Sequence, residues 1–221
     1  MSSNLTAPTI FYFVQQPTAP GSSLPSEDLI VRIASILERI DPASLFPSIQ
    51  PLEIELGSGD GSFLVRYAAE HRDRNFIGVE RLLGRIRKLD RKGRRLGLTN
   101  LRGLRIESSY FLRYLLPPHS AVAIHLYFPD PWPKRKHRRH RLVNELFVTT
   151  AEAALEPRGR VYLRTDDADY FGQMTAVFSA SSLFHAVDTP TELSDLLTDF
   201  EADFNARGIR TLRAAFESRR T

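Results

Sequence analysis

Residues 52–61 read Leu52-Glu-Ile-Glu55-Leu-Gly57-Ser-Gly59-Asp-Gly61. Leu52–Leu56 has strand character, and Ser62–His71, directly after the glycines, has the spacing of a helix. Glycines between a strand and a helix let the backbone turn tightly and let a ligand approach without Cβ obstruction. The same alternation continues downstream. Strands are expected at Phe76–Val79, Leu101–Ile106, Ala121–Phe128 and Gly159–Leu163. Helices are expected at Leu82–Leu96, near 109–116, over 139–155 and at Ala168–Ser179. One or two last strands around a short helix should fill 184–217. Alternating β and α implies a doubly wound, Rossmann-like sheet of parallel strands with helices on both faces. Upstream, Leu29, Ile33, Ile36, Leu37 and Ile40 share a helical face behind Ser26, Glu27 and Asp28. Residues 1–25 hold Ser, Thr, Pro and Gly around the apolar island Ile10–Val14, which reads as a flexible arm. The expected division is this arm and a single domain over 26–221, within reach of one hydrophobic core.

Acids stand at the ends of the expected strands. Glu55 lies two residues before Gly57, Glu80 closes the next strand, and Glu107 follows the third. An acid such as Glu80 can accept both ribose hydroxyls of an adenosine, and Glu107 is within reach of an adenine edge. A P-loop is excluded because no Gly-Lys-Ser/Thr follows the glycines. The dinucleotide fingerprint fits poorly, since Ser62 stands where a third glycine or alanine belongs. Glu55 would repel a pyrophosphate but suits the ammonium of a methionine moiety. The pattern therefore points to S-adenosyl-L-methionine. The competing reading of Glu107 is a solvated loop acid.

Residues 128–134 read Phe-Pro-Asp-Pro-Trp-Pro-Lys, at the carboxyl end of an apolar strand. Ligands of open α/β sheets sit at that edge. Three prolines stiffen the turn and fix the direction of Asp130. Trp132 either stacks on a base or anchors the loop. Lys134 opens the run KRKHRRHR, six Lys/Arg without an acid. A second basic stretch, 81–95, holds eight Lys/Arg and one acid, Asp90. Outside both stretches 16 Lys/Arg face 25 Asp/Glu, a net −9 in a chain whose formal charge is +4. An acidic body with two concentrated basic patches suits a phosphate-rich partner. The plainer reading, a solvated helix face, is weaker for 134–141 than for 81–95.

Composition removes other chemistries. With no cysteine among 221 residues there are no disulfides, thiolate nucleophiles or thiolate metal sites. A metal site from His137 and His140 lacks a third ligand, so no metal is expected. No apolar run reaches the ~18 residues of a membrane span. The first basic residue is Arg32, so a secretory n-region is missing and a cytoplasmic location is expected.

From Leu52 to Glu217, about three quarters of the chain, these residues resemble the bacterial tRNA (guanine-N7-)-methyltransferases of the TrmB type. Four blocks carry the resemblance. The first is Glu55-Leu-Gly-Ser-Gly-Asp-Gly with Gly78-Val-Glu80. The second is Phe128-Pro-Asp-Pro-Trp-Pro-Lys134 with its basic run. The third is Thr165-Asp166 with Tyr170. The last is Thr198-Asp-Phe-Glu201 with Phe204 and Gly208. The first block is widespread, whereas the second and fourth are specific to this family among methyltransferases. The resemblance implies methyl transfer from S-adenosyl-L-methionine to a variable-loop guanosine of tRNA. It implies cofactor contacts at Glu55, Gly57, Gly59, Gly61, Glu80, Glu107 and Asp130, with Asp130 also catalytic. It implies substrate contacts at Lys134, Asp166, Thr198, Asp199, Phe200 and Glu201. RNA would be held by Lys136, His137, Arg138, Arg139, His140 and Arg141. Three positions depart from the family pattern: Glu107 replaces the usual Asp, Asp199 a Lys or Glu, and His140 a common Arg. The first 48 residues carry no resemblance. Two other classes fit parts of the sequence. A small-molecule methyltransferase leaves the basic run idle, and a non-enzymatic RNA-binding module leaves Asp130 unexplained.

Overall fold

The computed structural model describes residues 28–221. The arm expected over 1–25 lies outside the described residues. Eight strands form one sheet: β1 (Ile30–Val31), β2 (Leu52–Leu56), β3 (Asn75–Val79), β4 (Leu101–Leu104), β5 (Ala121–Tyr127), β6 (Leu155–Thr165), β7 (Phe184–Val187) and β8 (Leu212–Ser218). Their order is β1-β4-β3-β2-β5-β6-β8-β7. The helices are α1 (Ser62–Glu70), α2 (Leu83–Arg95), α3 (Ser108–Tyr110), α4 (Glu145–Ala154), α5 (Ala168–Ala180), α6 (Thr191–Asp195) and α7 (Asp199–Ala206). α3 runs on into a π-helical turn, Phe111–Leu115.

From β2 the chain winds outward through β3 to β4, then returns to place β5 on the other side of β2. The strand order therefore reverses between β2 and β5. In an open parallel sheet the crevice beyond the strand ends at such a point holds the ligand. Two apolar clusters sandwich the sheet. One joins Ile54, Ile124 and Val161 to Phe111, Phe147, Met174 and Phe178. The other joins Phe76 and Leu101 to Phe63, Leu64, Ile86 and Leu89 on α1 and α2.

Three expectations need correction. The sheet is not wholly parallel, because β8 pairs antiparallel with both β6 and β7. Residues 26–40 are not a helix over their described part. Ile30–Val31 instead adds a parallel edge to β4. Beyond it the backbone bonds to the π turn: Ile40 N–H donates to the Leu115 carbonyl at 2.8 Å and the Ile36 carbonyl accepts from Tyr110 OH at 2.8 Å. Tertiary partners outweigh the helical spacing there, and Leu37 stays 87% exposed. Lastly, α4 begins at Glu145, not 139. Asn144 caps it by accepting from Phe147 N–H at 3.0 Å, and Arg135–His140 forms a short 3₁₀ turn. Consecutive like charges there gain nothing from the i,i+4 pairing that a longer helix rewards.

Candidate active site

Glu55 lies in β2, just before Leu56 and Gly57, which border the cleft. It is 4% exposed, and its Oε2 has no hydrogen-bond partner. Burial pushes its carboxyl up to about 8, with Asp60 and Glu80 adding to the rise and Arg164 opposing it. A buried acceptor without a donor is costly, and a donor from outside the chain could satisfy this one. Above it the glycine turn is open. Gly57 and Gly59 have φ of 76° and 56°, and a Cβ on either would meet nothing within 4 Å. Gly61 differs: a Cβ there would lie 2.8 Å from Leu89 Cγ. Gly61 therefore serves the close packing of the turn on α2 rather than ligand approach. Glu80 braces the turn, accepting from Gly59 N–H (3.1 Å) with one oxygen and from Leu82 N–H (2.7 Å) with the other. Glu107 caps α3, accepting from the N–H groups of Ser109 (3.0 Å) and Tyr110 (2.8 Å). Each oxygen of these carboxylates has lone pairs left for a ligand.

A cleft of about 540 Å³ brings Gly57, Glu80 and Glu107 together with Tyr127, Phe128, Asp130, Trp132, Arg139 and His140. That volume is within the range of small-molecule and cofactor sites. Asp130 is exposed, and among the described residues none hydrogen-bonds its carboxylate. The turn carrying it is strained: Phe128 and Trp132 have φ of 51° and 44°. Trp132 packs against His137 and His140, with ring centroids 5.9 and 5.2 Å away. Among the described residues no group of three potential ligands could hold a metal ion.

Arg141 is what fixes this turn. It is 2% exposed. Its Nε donates to the Pro131 carbonyl (2.7 Å), Nη1 to Gln173 Oε1 (2.8 Å) and Nη2 to Asp169 Oδ2 (2.6 Å). Its guanidinium also lies over the Tyr170 ring, 4.8 Å from the centroid. The expectation that Arg141 holds RNA is therefore corrected, because each guanidinium nitrogen is already engaged inside the chain. Lys136, Arg138, Arg139 and His140 are exposed and His137 half-buried. Arg138 pairs with Asp169 at 2.9 Å.

The expected substrate residues divide. Lys134, Asp166, Asp199 and Phe200 are exposed. Thr198 and Glu201 are not available to a substrate, which is a second correction. They form a capping box at the start of α7, and Glu201 is fully buried between Arg164 (2.6 Å) and Arg213 (2.8 Å). Phe200 and Phe204 lean on Phe128, with centroids 6.4 and 6.0 Å away. α7 thus backs the proline turn. Lys92 reaches Asp60 at 2.9 Å and Asp199 at 4.0 Å, linking α2 to the glycine turn and to α7.

Sequence reading missed a polar layer under the cleft. Glu53 Oε2 bonds to His125 Nε2 (2.7 Å), His125 Nδ1 to Tyr127 OH (2.8 Å), and Arg74 Nη1 donates to Glu53 Oε1 (2.7 Å). Burial pushes the Glu53 carboxyl up, but the bonds from His125 and Arg74 outweigh it and leave it below its ordinary value. Tyr127 lines the cleft, and Arg164 lies 4.1 Å over its ring. The available signal was His125 inside the otherwise apolar β5; Arg164, in a strand that also carries Arg158 and Arg160, offered none.

A family described as "putative methyltransferase" matches residues 49–215. A tRNA (guanine-N(7)-)-methyltransferase of Syntrophotalea carbinolica is 35% identical over 66% of this chain and 63% of its own length. One of Alkalilimnicola ehrlichii is 32% identical over 76% of this chain and 70% of its own length. The chain thus spans less than two thirds of the Syntrophotalea relative. Among solved structures, TrmN from Thermus thermophilus superposes with a TM-score of 0.56 at 17% identity, covering 76% of this chain and 45% of that one. At that identity the likeness concerns the fold, a Rossmann-like methyltransferase sheet. By its sequence matches, the chain belongs to the tRNA (guanine-N7-)-methyltransferase family.

Proposed function

We propose that this protein transfers a methyl group from S-adenosyl-L-methionine to N7 of a guanosine in tRNA, the variable-loop guanosine by family resemblance. The observation that carries the reading is the buried Glu55 carboxyl, whose Oε2 has no partner, beneath an open glycine turn, next in the chain to Leu56 and Gly57, which share one cleft with Asp130 on its stiffened turn. The residues fit the cofactor. Glu55 takes the ammonium, Glu80 the ribose hydroxyls and Glu107 the adenine edge, with Gly57 and Gly59 leaving room for the backbone contact. The methyltransferase domain is 26–221, preceded by the arm.

The bound cofactor supplies an electrophilic sulfonium methyl. Guanine N7 carries an in-plane lone pair and needs no deprotonation, so the chain has no general base to provide. Its work is alignment and stabilisation of the cationic purine that forms. Asp130 accepts hydrogen bonds from the guanine N1–H or amino group as charge develops, and Asp166 and Lys134 orient the nucleotide. The strained Phe128–Trp132 turn holds the Asp130 carboxylate in one direction, and Arg141 keeps the turn from relaxing. Lys136, His137, Arg138, Arg139 and His140 hold tRNA phosphates, which position rather than read sequence. The protein acts in the cytoplasm, where its tRNA substrate is.

Thermal stabilisation separates this reading from its rivals. S-adenosylhomocysteine and bulk tRNA, added separately, should each raise the melting temperature. A response to S-adenosylhomocysteine alone indicates a small-molecule methyltransferase. A response to tRNA alone indicates an RNA-binding module.

A further inference from the structure

We propose that Arg164 is a positioning residue shared by both halves of the site: its charge supports the Glu55 carboxylate, and its hydrogen bonds seat the helix behind the Asp130 turn. The inference rests on the functional reading above.

Arg164 sits near the end of β6, opposite Tyr127 of β5 and Arg213 of β8. It is 1% exposed. Its donors all go to one segment. Nη1 donates to Glu201 Oε2 (2.6 Å) and to the Leu196 carbonyl (3.0 Å), and Nη2 donates to the Leu193 carbonyl. Those acceptors belong to α6, the loop after it and the first turn of α7. The face of the guanidinium meets Tyr127 (4.1 Å) and Phe63 (5.5 Å), and Tyr127 is a wall of the cleft. From α7, Phe200 and Phe204 press on Phe128, the residue that opens the Asp130 turn.

An apolar side chain would satisfy this strand position more cheaply. Burying a guanidinium is costly, and Glu201 already has Arg213 as a partner at 2.8 Å. The charge therefore has another use. Of the charged groups acting on Glu55, Asp60 on the glycine turn and Glu80 at the end of β3 disfavour its anion, while Arg164 from β6 favours it. The strand register brings the two groups near each other: β5 separates their strands, with Glu55 opposite His125 and Arg164 opposite Tyr127, two residues on, and Tyr127 stays neutral because burial raises its hydroxyl well above the ordinary value. An anionic Glu55 is what an incoming ammonium requires. One guanidinium thus serves the donor side by its charge and the acceptor side by its hydrogen bonds.

The two jobs separate in two variants of the full chain. Arg164→Met removes charge and hydrogen bonds, while Arg164→Lys keeps the charge and cannot reach all three acceptors. Calorimetry with S-adenosylhomocysteine at pH 7 and pH 9, and steady-state kinetics with tRNA, read the two sides. Arg164→Met should bind S-adenosylhomocysteine about tenfold more weakly at pH 7, because the Glu55 carboxyl rises further without the guanidinium, and near wild-type strength at pH 9. Arg164→Lys should restore that affinity to within about threefold but keep a raised KM for tRNA and a lowered kcat, as in Arg164→Met. If Arg164→Met fails to fold, the split in Arg164→Lys still decides. Equal losses on both sides in Arg164→Lys, or a deficit in Arg164→Met that is the same at both pH values, overturn the proposal. So do variants indistinguishable from an active wild type. A wild type that binds no S-adenosylhomocysteine and methylates no tRNA overturns the functional reading, and this inference with it.

Discussion

After β2 the chain turns on Gly57, Gly59 and Gly61, with φ of 76°, 56° and 76°. After β5 it turns on Phe128 and Trp132, with φ of 51° and 44°. Both turns stand on the same sheet edge, on adjacent strands, and both use left-handed backbone. Glycine adopts that conformation without steric cost, whereas each non-glycine residue there costs about 1–2 kcal/mol. The first turn therefore carries no backbone strain, and is braced by Glu80 on Gly59 N–H and by the Val79 carbonyl on Gly57 and Ser58 N–H. The second must be held from outside, by Arg141 on the Pro131 carbonyl and by α7 against Phe128. The first leaves open space for a ligand, while the second fixes the direction of one carboxylate. Binding should depend mainly on the glycine turn and turnover mainly on the proline turn.

The sharpest test of that division is Asp130→Asn, which keeps size and one acceptor but loses the charge. Turnover should fall by about 100-fold or more, the scale of a lost transition-state contact, with S-adenosylhomocysteine affinity reduced far less. Turnover within about threefold of wild type would make the acid structural. Arg141→Gln attacks the same turn from behind. With the Pro131 carbonyl left unpaired and Asp169 held by Arg138 alone, stability should fall by about 2 kcal/mol, a drop in Tm of about 4–8 °C. Turnover should fall by more than about tenfold as Asp130 loses its fixed direction, and cofactor affinity should hold. A loss of affinity equal to the loss of turnover would break the comparison.

The glycine turn has its own signature in pH. With its carboxyl near 8, Glu55 is protonated at neutral pH in the free protein, and an ammonium binds the anion. Binding therefore releases a proton at neutral pH, and affinity for S-adenosylhomocysteine should rise about tenfold from pH 6 to 7 and less steeply toward 8. The free protein shows the opposite sign. Between its unfolded value near 4.5 and its folded value near 8, Glu55 holds a proton that the unfolded chain has shed, so its contribution to stability declines as pH rises. Calorimetry in two buffers of different ionisation enthalpy measures the released proton, and zero release at pH 7 would refute the assignment. The smallest effect is expected from Lys136, Arg138 and Arg139 changed together to Gln. The log–log salt slope for tRNA should flatten by about 2–3, at 0.7–0.9 per phosphate contact, toward the lower end because Arg138 is shared with Asp169. S-adenosylhomocysteine binding should not change.

The contrast between the turns also explains what the sequence discloses. Leu52–Leu56, the glycines, Glu55 and Glu80 are legible because their chemistry is local: a strand, a turn and acids at strand ends. The strand and helix alternation from 52 to 180 is legible for the same reason. Arg141 reads as one more member of a basic run, because the residues that claim it, Asp169 and Gln173, lie 28 and 32 positions away. Glu201 and Arg164 are separated by 37 positions, so the capping box alone could not show that the carboxylate is buried. Ile33, Ile36 and Ile40 keep helical spacing in a segment that never becomes a helix. Its carbonyl and amide groups are taken by Tyr110 and Leu115, which no local pattern contains.

The proposed reaction needs the donor cleft and the Asp130 turn to act together on guanine N7 in tRNA. Bulk tRNA lacking the modification, incubated with the protein and methyl-labelled S-adenosyl-L-methionine and then digested to nucleosides, tests it most directly. Label should appear in 7-methylguanosine, be lost in Asp130→Asn and be retained in the Lys136/Arg138/Arg139 variant at low salt. Label in any other nucleoside, or none in tRNA while the protein still binds S-adenosylhomocysteine, would contradict it.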